Sequence, residues 1–306
     1  MLKILFLITI FIGGLFAGDI TPNEVYAQVM LINEEVHSLL KYYNIKHNHK
    51  KIIQRSKVVA NLKPRDVWQK TYEIAVKINI LRHTHGLPII EPVNMAPVLH
   101  LNPDLVYEQT QRILTELKIY ETREDIHIEH AKLEKFTGKR PLDVFIGLTQ
   151  VSMMLDVLNG EKFTPSYVFG EQMRVYDDIT RIINKLNLQD DTIPDKKNPK
   201  DTPSIVFDKI LQLLEIIKQL QISAGIEFVD FSGFKKQGEK ITPNEVYTIT
   251  EMVIAELQTI KAYLGINVIT PPASLYHTKT PAEVSQLVGW NIRKLRLVRS
   301  LIKVER

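Results

Sequence analysis

The chain has 306 residues, with 39 basic and 35 acidic side chains and no cysteine. A balance this close gives no global field that would select nucleic acid. The lack of cysteine excludes disulfides, thiolate metal sites and cysteine nucleophiles, and a chain of this length buries a large core without such staples.

Residues Met1 to Ala17 read as a secretory signal peptide: one early cation, Lys3, an apolar run from Ile4 to Phe16, then the small residue Ala17. The run is too short for a standard membrane-spanning helix of about 20 residues. Cleavage is expected after Ala17, with an uncleaved N-terminal anchor as the alternative. The expected location is periplasmic or extracellular.

From Thr21 onward one helix-start signal, x-Pro-x-x-Val, recurs eight times. The copies begin at Thr21, Lys63, Asn102, Arg140, Thr164, Thr202, Thr242 and Thr280. Their prolines and valines are Pro22 with Val25, Pro64 with Val67, Pro103 with Val106, Pro141 with Val144, Pro165 with Val168, Pro203 with Val206, Pro243 with Val246 and Pro281 with Val284. Thr is a good N-cap, and Pro costs nothing at the first helical position, where the backbone N–H has no intrahelical partner. Glu24, Glu245 and Glu283 complete capping-box patterns. Ile20, Leu101, Phe163 and Ile241 precede alternate starts, as hydrophobic staples do. An aromatic follows the valine in every copy except the last, where Ser285 stands, and these rings are expected to seal bundle ends.

Copies one to four recur as copies five to eight about 140 residues later. This predicts an all-α fold of eight main helices in two duplicated four-helix halves, residues 18–160 and 161–306, with long irregular connections. One continuous helical body is the alternative, and a pseudo-two-fold contact between the halves is expected by analogy with symmetric dimers. The connections are long enough to cross a helix end to end, so up-down order is not forced. The short step from Leu158 to Thr164 predicts antiparallel neighbours. Gly225 to Gly233 is the best candidate for an extended piece.

Histidine is the most suggestive chemical residue. Eight of the nine precede residue 131, and six form close pairs: His47 with His49, His83 with His85, and His127 with His130. Each pair can offer two imidazoles to a divalent transition metal, or be solvated loop histidines. Glu34–His37 and Glu124–His127 repeat the Glu-x-x-His spacing of ferritin-like centres, but the other helices show no evident buried Glu to complete one. Asp177–Asp178 and Asp190–Asp191 read as solvated or loop charges, and Trp290 as core. On the last helix Arg293, Arg296, Arg299 and Lys303 lie near one face, suited to a membrane surface or an acidic partner, or simply exposed on a packed helix.

No nucleophile elbow, phosphate-binding loop, dinucleotide fingerprint or H-E-x-x-H motif is present. No cofactor is expected beyond a possible divalent transition metal. The leading expectation is an exported, non-enzymatic helical-repeat module that binds a protein partner or membrane surface, with homo-oligomer formation open to it. The alternatives are a small-molecule or metal-binding protein using the histidine pairs, and an enzyme of unrecognised type. An exposed apolar patch would favour the first, and an apolar cavity with convergent polar groups the second.

Overall fold

The computed structural model describes residues 20–160, 163–235 and 240–302, with side chains to Val298. The expected signal peptide, Lys303 and the Arg299 side chain lie outside the described residues. The described chain is all-helical. Long helices begin at the eight signals: α1 (Pro22–Tyr42), α3 (Pro64–Thr84), α4 (Pro103–Arg123), α5 (Pro141–Leu158), α6 (Pro165–Lys185), α7 (Pro203–Ala224), α8 (Pro243–Tyr263) and α9 (Pro281–Ile302). A short α2 (His49–Ser56) lies in the first connection, capped by Asn48, whose side chain accepts from Lys51 N at 3.0 Å. The expected extended piece is instead irregular chain with one 3₁₀ turn, Ser232–Phe234. Among the described residues no partner strand lies beside it to take its backbone hydrogen bonds.

The start signal works through local hydrogen bonds. Thr21 and Glu24, Thr242 and Glu245, and Thr280 and Glu283 each bond reciprocally. At Lys63 and Arg140 the N-cap side chain has no acceptor, so only the carboxylate half forms: Asp66 and Asp143 accept the N-cap N–H at 2.7 and 2.8 Å. All eight signature valines are at most 2 % exposed.

The stop signal is just as regular. Asn44–Ile45, Gly86–Leu87, Asp125–Ile126, Asn187–Leu188, Gly225–Ile226 and Gly265–Ile266 each place a positive-φ residue before Ile or Leu. The N–H of that apolar residue bonds a carbonyl five residues back at 2.8 to 3.1 Å, closing a Schellman motif.

All four helices of each group run the same way. The proline–valine starts of α6, α7, α8 and α9 converge on one small cavity, so they share an end. In the first group Tyr43, His85 and Tyr120, at or near the C-terminal ends of α1, α3 and α4, are joined by hydrogen bonds. Lys139 N, just before α5, donates to Asn23 Oδ1 at the start of α1. Each long connection therefore returns along its bundle, a distance of about 30 Å.

Helix neighbours form two closed rings, α1–α5–α3–α4 and α6–α9–α7–α8, and α3 against α8 is the one helix pair of substance that joins them. α3 and α8 cross the seam antiparallel: Arg65 pairs with Glu256, Gln69 with Glu251, Lys70 and Glu73 with Thr248, and Lys77 with Asn244. α5 and α6 thus run in opposite senses, but they are not packed neighbours as expected; α6 packs on α8 and α9. The expected pseudo-two-fold contact is also absent. α3 carries the second start of its group and α8 the third, so unlike surfaces meet, which is a heterologous contact.

The seam is dense with buried charge. Burial, with Glu256 beside it, holds the Asp66 carboxyl well above the carboxylate range. Burial and the neighbouring Glu171 do the same to Glu251. Asp178 is buried rather than solvated; it accepts from Lys261 at 2.9 Å and Arg181 at 2.9 Å. α5 is apolar enough by composition to cross a membrane, yet here it packs against α1, α2 and α3. Apolar residues all round a helix also mark a core position.

Candidate functional site

A cleft of about 710 Å³ lies where the two helix groups meet beside α2. Phe145, Met153 and Val157 of α5 form one wall, with Ile52 of α2 and Val58 beside them. Phe163, Phe207 of α7, Phe234 of the 3₁₀ turn and the first turns of α8 form the other. Two of the signature aromatics, Phe145 and Phe207, thus face this cleft. The Phe145 and Phe234 rings meet edge-on at 5.8 Å, and Phe163 meets Tyr247 at 4.6 Å.

Polar groups are placed at the mouth and in the floor. Lys46, Lys51, Arg55 and Lys240 line the opening with Asp156 and Glu245. Arg55 donates to Glu245 at 2.6 Å, and Glu245 also caps α8. Lys46, Lys51 and Lys240 have no ion-pair partner among the described residues, so the mouth carries an excess of positive charge.

Behind the walls lies a buried cluster. Glu73 receives both of its Lys70 contacts at 2.8 Å, Thr248 at 2.8 Å and Ser152 at 2.5 Å. Lys77 donates to Ser152 Oγ at 2.7 Å and to Asp156 Oδ1 at 2.8 Å. Burial alone would raise the Glu73 carboxyl, but Lys70 and Lys77 outweigh it and hold it at about 2. Asp156 is raised by burial, against the pull of Lys77. The cluster holds two cations and two carboxyls. Ser152 receives a proton donor from Lys77 and gives its own proton to Glu73, and it is fully buried. It is wired as a relay; Glu73, which takes its proton, is held at about 2 and is too weak a base to make it a nucleophile. The Lys77 ammonium lies 5.0 Å from the Phe163 ring centroid, so an aromatic face covers that cation, while Asp156 and Thr248 of the cluster reach the cleft lining.

The histidines are regrouped by the fold. His47 and His49 do not act as an isolated pair: His37 of α1 joins them, with ring centroids 5.3 to 6.2 Å apart, and His47 Nε2 is buried without a partner. His83 is exposed, whereas His85 is held by Glu124 at 2.8 Å and by Tyr120 at 3.1 Å. His127 is exposed beside Asp125. His130 leaves its expected partner and meets Glu35 at 2.7 Å, with Glu121 at 4.0 Å. The position of His37 was visible only as part of Glu34–His37, and nothing in its local sequence announces the approach of α2.

The ferritin-like pattern does not assemble, because Glu34 is exposed and Glu124 is spent on His85. Buried glutamates do exist on other helices, contrary to expectation, but Glu73, Glu171 and Glu256 are matched by Lys70 and Lys77, Arg174 and Arg65. On α9, Arg293 pairs with Asp195 and Arg296 is exposed. Lys294 is buried instead, against Asp190 and 4.5 Å from the Tyr176 ring. Trp290 is half-buried and donates to Thr192 Oγ1 at 3.0 Å. No family model, no curated protein and no solved structure matches this chain.

Proposed function

We propose that the chain is a small-molecule-binding protein whose site is the cleft between the two helix groups, and that its ligand is an amphipathic organic anion. The observation that carries this reading is an apolar cleft of about 710 Å³ whose mouth holds three cations without ion-pair partners among the described residues. That volume falls within the range of sites that enclose a small molecule, and apolar walls with a few placed polar groups are the usual chemistry of such sites. An apolar tail packs among Phe145, Phe163, Phe207 and Phe234, while the anionic group faces Lys46, Lys51 and Lys240. If the chain is exported, as its N-terminus leads one to expect, the ligand is met outside the cytoplasm.

The leading expectation from sequence, a module for a protein partner or membrane surface, has weaker support. Ile89, Leu133, Ile193 and Leu275 are strongly exposed, but they stand on separate connections.

Titration with anilinonaphthalene sulfonate, an apolar fluorophore bearing an anion, tests the reading. Wild-type protein is expected to bind one equivalent saturably. Met153→Trp narrows the cleft and weakens binding with the melting temperature unchanged. Lys51→Glu weakens binding about tenfold at low salt, and added salt shrinks that difference. Unsaturable binding that neither substitution alters would reject the cleft. Native mass spectrometry of protein from its own host distinguishes the rival: a retained small-molecule mass supports the cleft, and a stable complex with another protein supports the module.

A further inference from the structure

Glu35 and Glu121 come from neighbouring helices. Glu35 sits in the second half of α1 and Glu121 in the last turn of α4, and the two helices run parallel. The stop motif after α4 turns the chain back, and His130 returns over the seam between them. His130 Nδ1 lies 2.7 Å from Glu35 Oε1 and 4.0 Å from Glu121 Oε2. Among the described residues this is the one group of His and carboxylate side chains that brings three ligand atoms within 4.8 Å of one another. The glutamate side chains are 3 % and 4 % exposed, and Glu121 Oε1 has no hydrogen-bond partner.

The charge pattern separates this group from most other buried carboxylates; Asp66 and Glu251 also lack a salt bridge, but each stands beside a carboxylate that has one, Glu256 and Glu171. Glu73, Glu171, Glu256 and Asp178 each touch a lysine or arginine. Glu35 and Glu121 form no such pair; His130 is their shared partner, and Lys118, one turn before Glu121, acts on it only at longer range. Burial first, and then the charge of Glu35, pushes Glu121 up to about 7. Two buried carboxylates without a fixed cation carry a charge of −2 when ionised, which a divalent cation beside a neutral imidazole cancels.

We propose that Glu35, Glu121 and His130 bind a divalent first-row transition cation, clamping the connection after α4 onto the α1–α4 seam. Two carboxylate oxygens and one imidazole nitrogen suit Zn²⁺ or Mn²⁺, and the lack of sulfur disfavours Cu⁺. Zn²⁺ binds such atoms at about 2.0–2.2 Å, so ligand atoms in a tetrahedral site stand about 3.5 Å apart. The pairs at 2.7 and 4.0 Å reach that spacing by sub-ångström shifts. His130 is 52 % exposed, which leaves a solvent side for water to complete the coordination. The site is separate from the cleft, whose lining includes none of these three residues.

The test is calorimetric titration of metal-free, full-length protein with Zn²⁺ and Mn²⁺ at pH 7. One equivalent is expected to bind at micromolar Kd or tighter. Glu121→Gln keeps the shape of the side chain and removes a buried charge; it is expected to fold, as its melting temperature will show, and to weaken binding about a hundredfold. His130→Ala does the same. Zn²⁺ is expected to protect residues 124–140 from proteolysis in wild type and not in Glu121→Gln. Replacing His37, His47 and His49 together by Ala leaves binding intact. The proposal is overturned if Glu121→Gln binds as wild type does, if the triple histidine variant loses the equivalent instead, or if wild type binds no more tightly than millimolar.

Discussion

Gly233 shows what a single position does for the cleft. A Cβ built there would lie 1.8 Å from the backbone oxygen of Val59, and backbone cannot swing aside as a side chain can. The connection carrying Phe234 is therefore pressed onto the connection after α2 with no room for any other residue. Gly233→Ala is expected to lift that connection, part Phe234 from Phe145, and cost about 2 kcal/mol, the range for overpacking a tight contact. Urea unfolding and fluorophore titration would show it as lost stability and at least tenfold weaker binding together. Gly225→Ala makes a useful comparison. It has open space around its Cβ but a φ of +69°, so it should cost only about 1 kcal/mol of local strain and leave binding alone. If both variants bind equally, the close approach at Gly233 does not shape the cleft. Neither role was readable beforehand. Gly225 at least stands one place before an apolar residue at a helix end, whereas the need for Gly233 comes from a segment some 174 positions away.

At the scale of the helix, starts and stops were both written locally, and only the starts were recognised from sequence. Threonine, proline and the acid three places on act within one turn, so their pattern survives in any fold. The stop signal is equally local, an Asn, Asp or Gly followed by Ile or Leu, yet such pairs are common enough that their hydrogen bonds were needed to reveal the series. The charged faces of α3 and α8 were illegible for a different reason. Apolar periodicity marks which face is buried in apolar surroundings, and it is silent about polar residues buried against a partner chosen by tertiary packing. Those charges make stability depend on pH in two directions. Glu73, held at about 2 when folded and near 4.5 when unfolded, adds stability above about pH 4.5 that is lost as pH falls toward 2. Asp66 and Glu251 are raised on folding, so their contribution is complete below the unfolded carboxyl range and is lost as pH rises through their folded values. Glu121 acts in the same sense up to about 7. Unfolding free energy should therefore fall between pH 5 and 8, by at most about 1.4 kcal/mol per pH unit for each proton involved. Glu251→Gln and Glu121→Gln should each flatten that slope. A slope identical in wild type and both variants would mean these protons are not held at the buried sites.

Across the whole molecule, two apolar rings meet through a seam that is largely polar. Val29, Ile32, Val36 and Leu39 of α1 pack within the first ring alongside Ile74, Ile78, Leu117 and Leu148, and an equivalent apolar set fills the second. What α3 offers α8 is instead Arg65, Gln69, Lys70, Glu73 and Lys77. Removing one partner from a buried ion pair is costly only while the other stays buried, because a charge that regains water recovers its hydration. Truncation at residue 160 uncovers the α3 face completely, and Lys70, Glu73 and Lys77 keep one another as neighbours on the same helix. The apolar surface newly exposed includes Phe145, Met153 and Val157 on the cleft side and the ring of Tyr72, which lies against Arg174 in the full chain. Residues 20–160 are accordingly expected to fold alone as a helical, soluble monomer that melts cooperatively at a lower temperature than the full chain and has no fluorophore site. Circular dichroism with light scattering would check this. Aggregation, or a dimer in which a second copy covers α3, would mean that the seam contributes to the core of each half and that the eight helices fold as one body. The same fragment contains Glu35, Glu121 and His130, so its Zn²⁺ titration should match that of the full chain if the clamp on the α1–α4 seam belongs to the first ring alone.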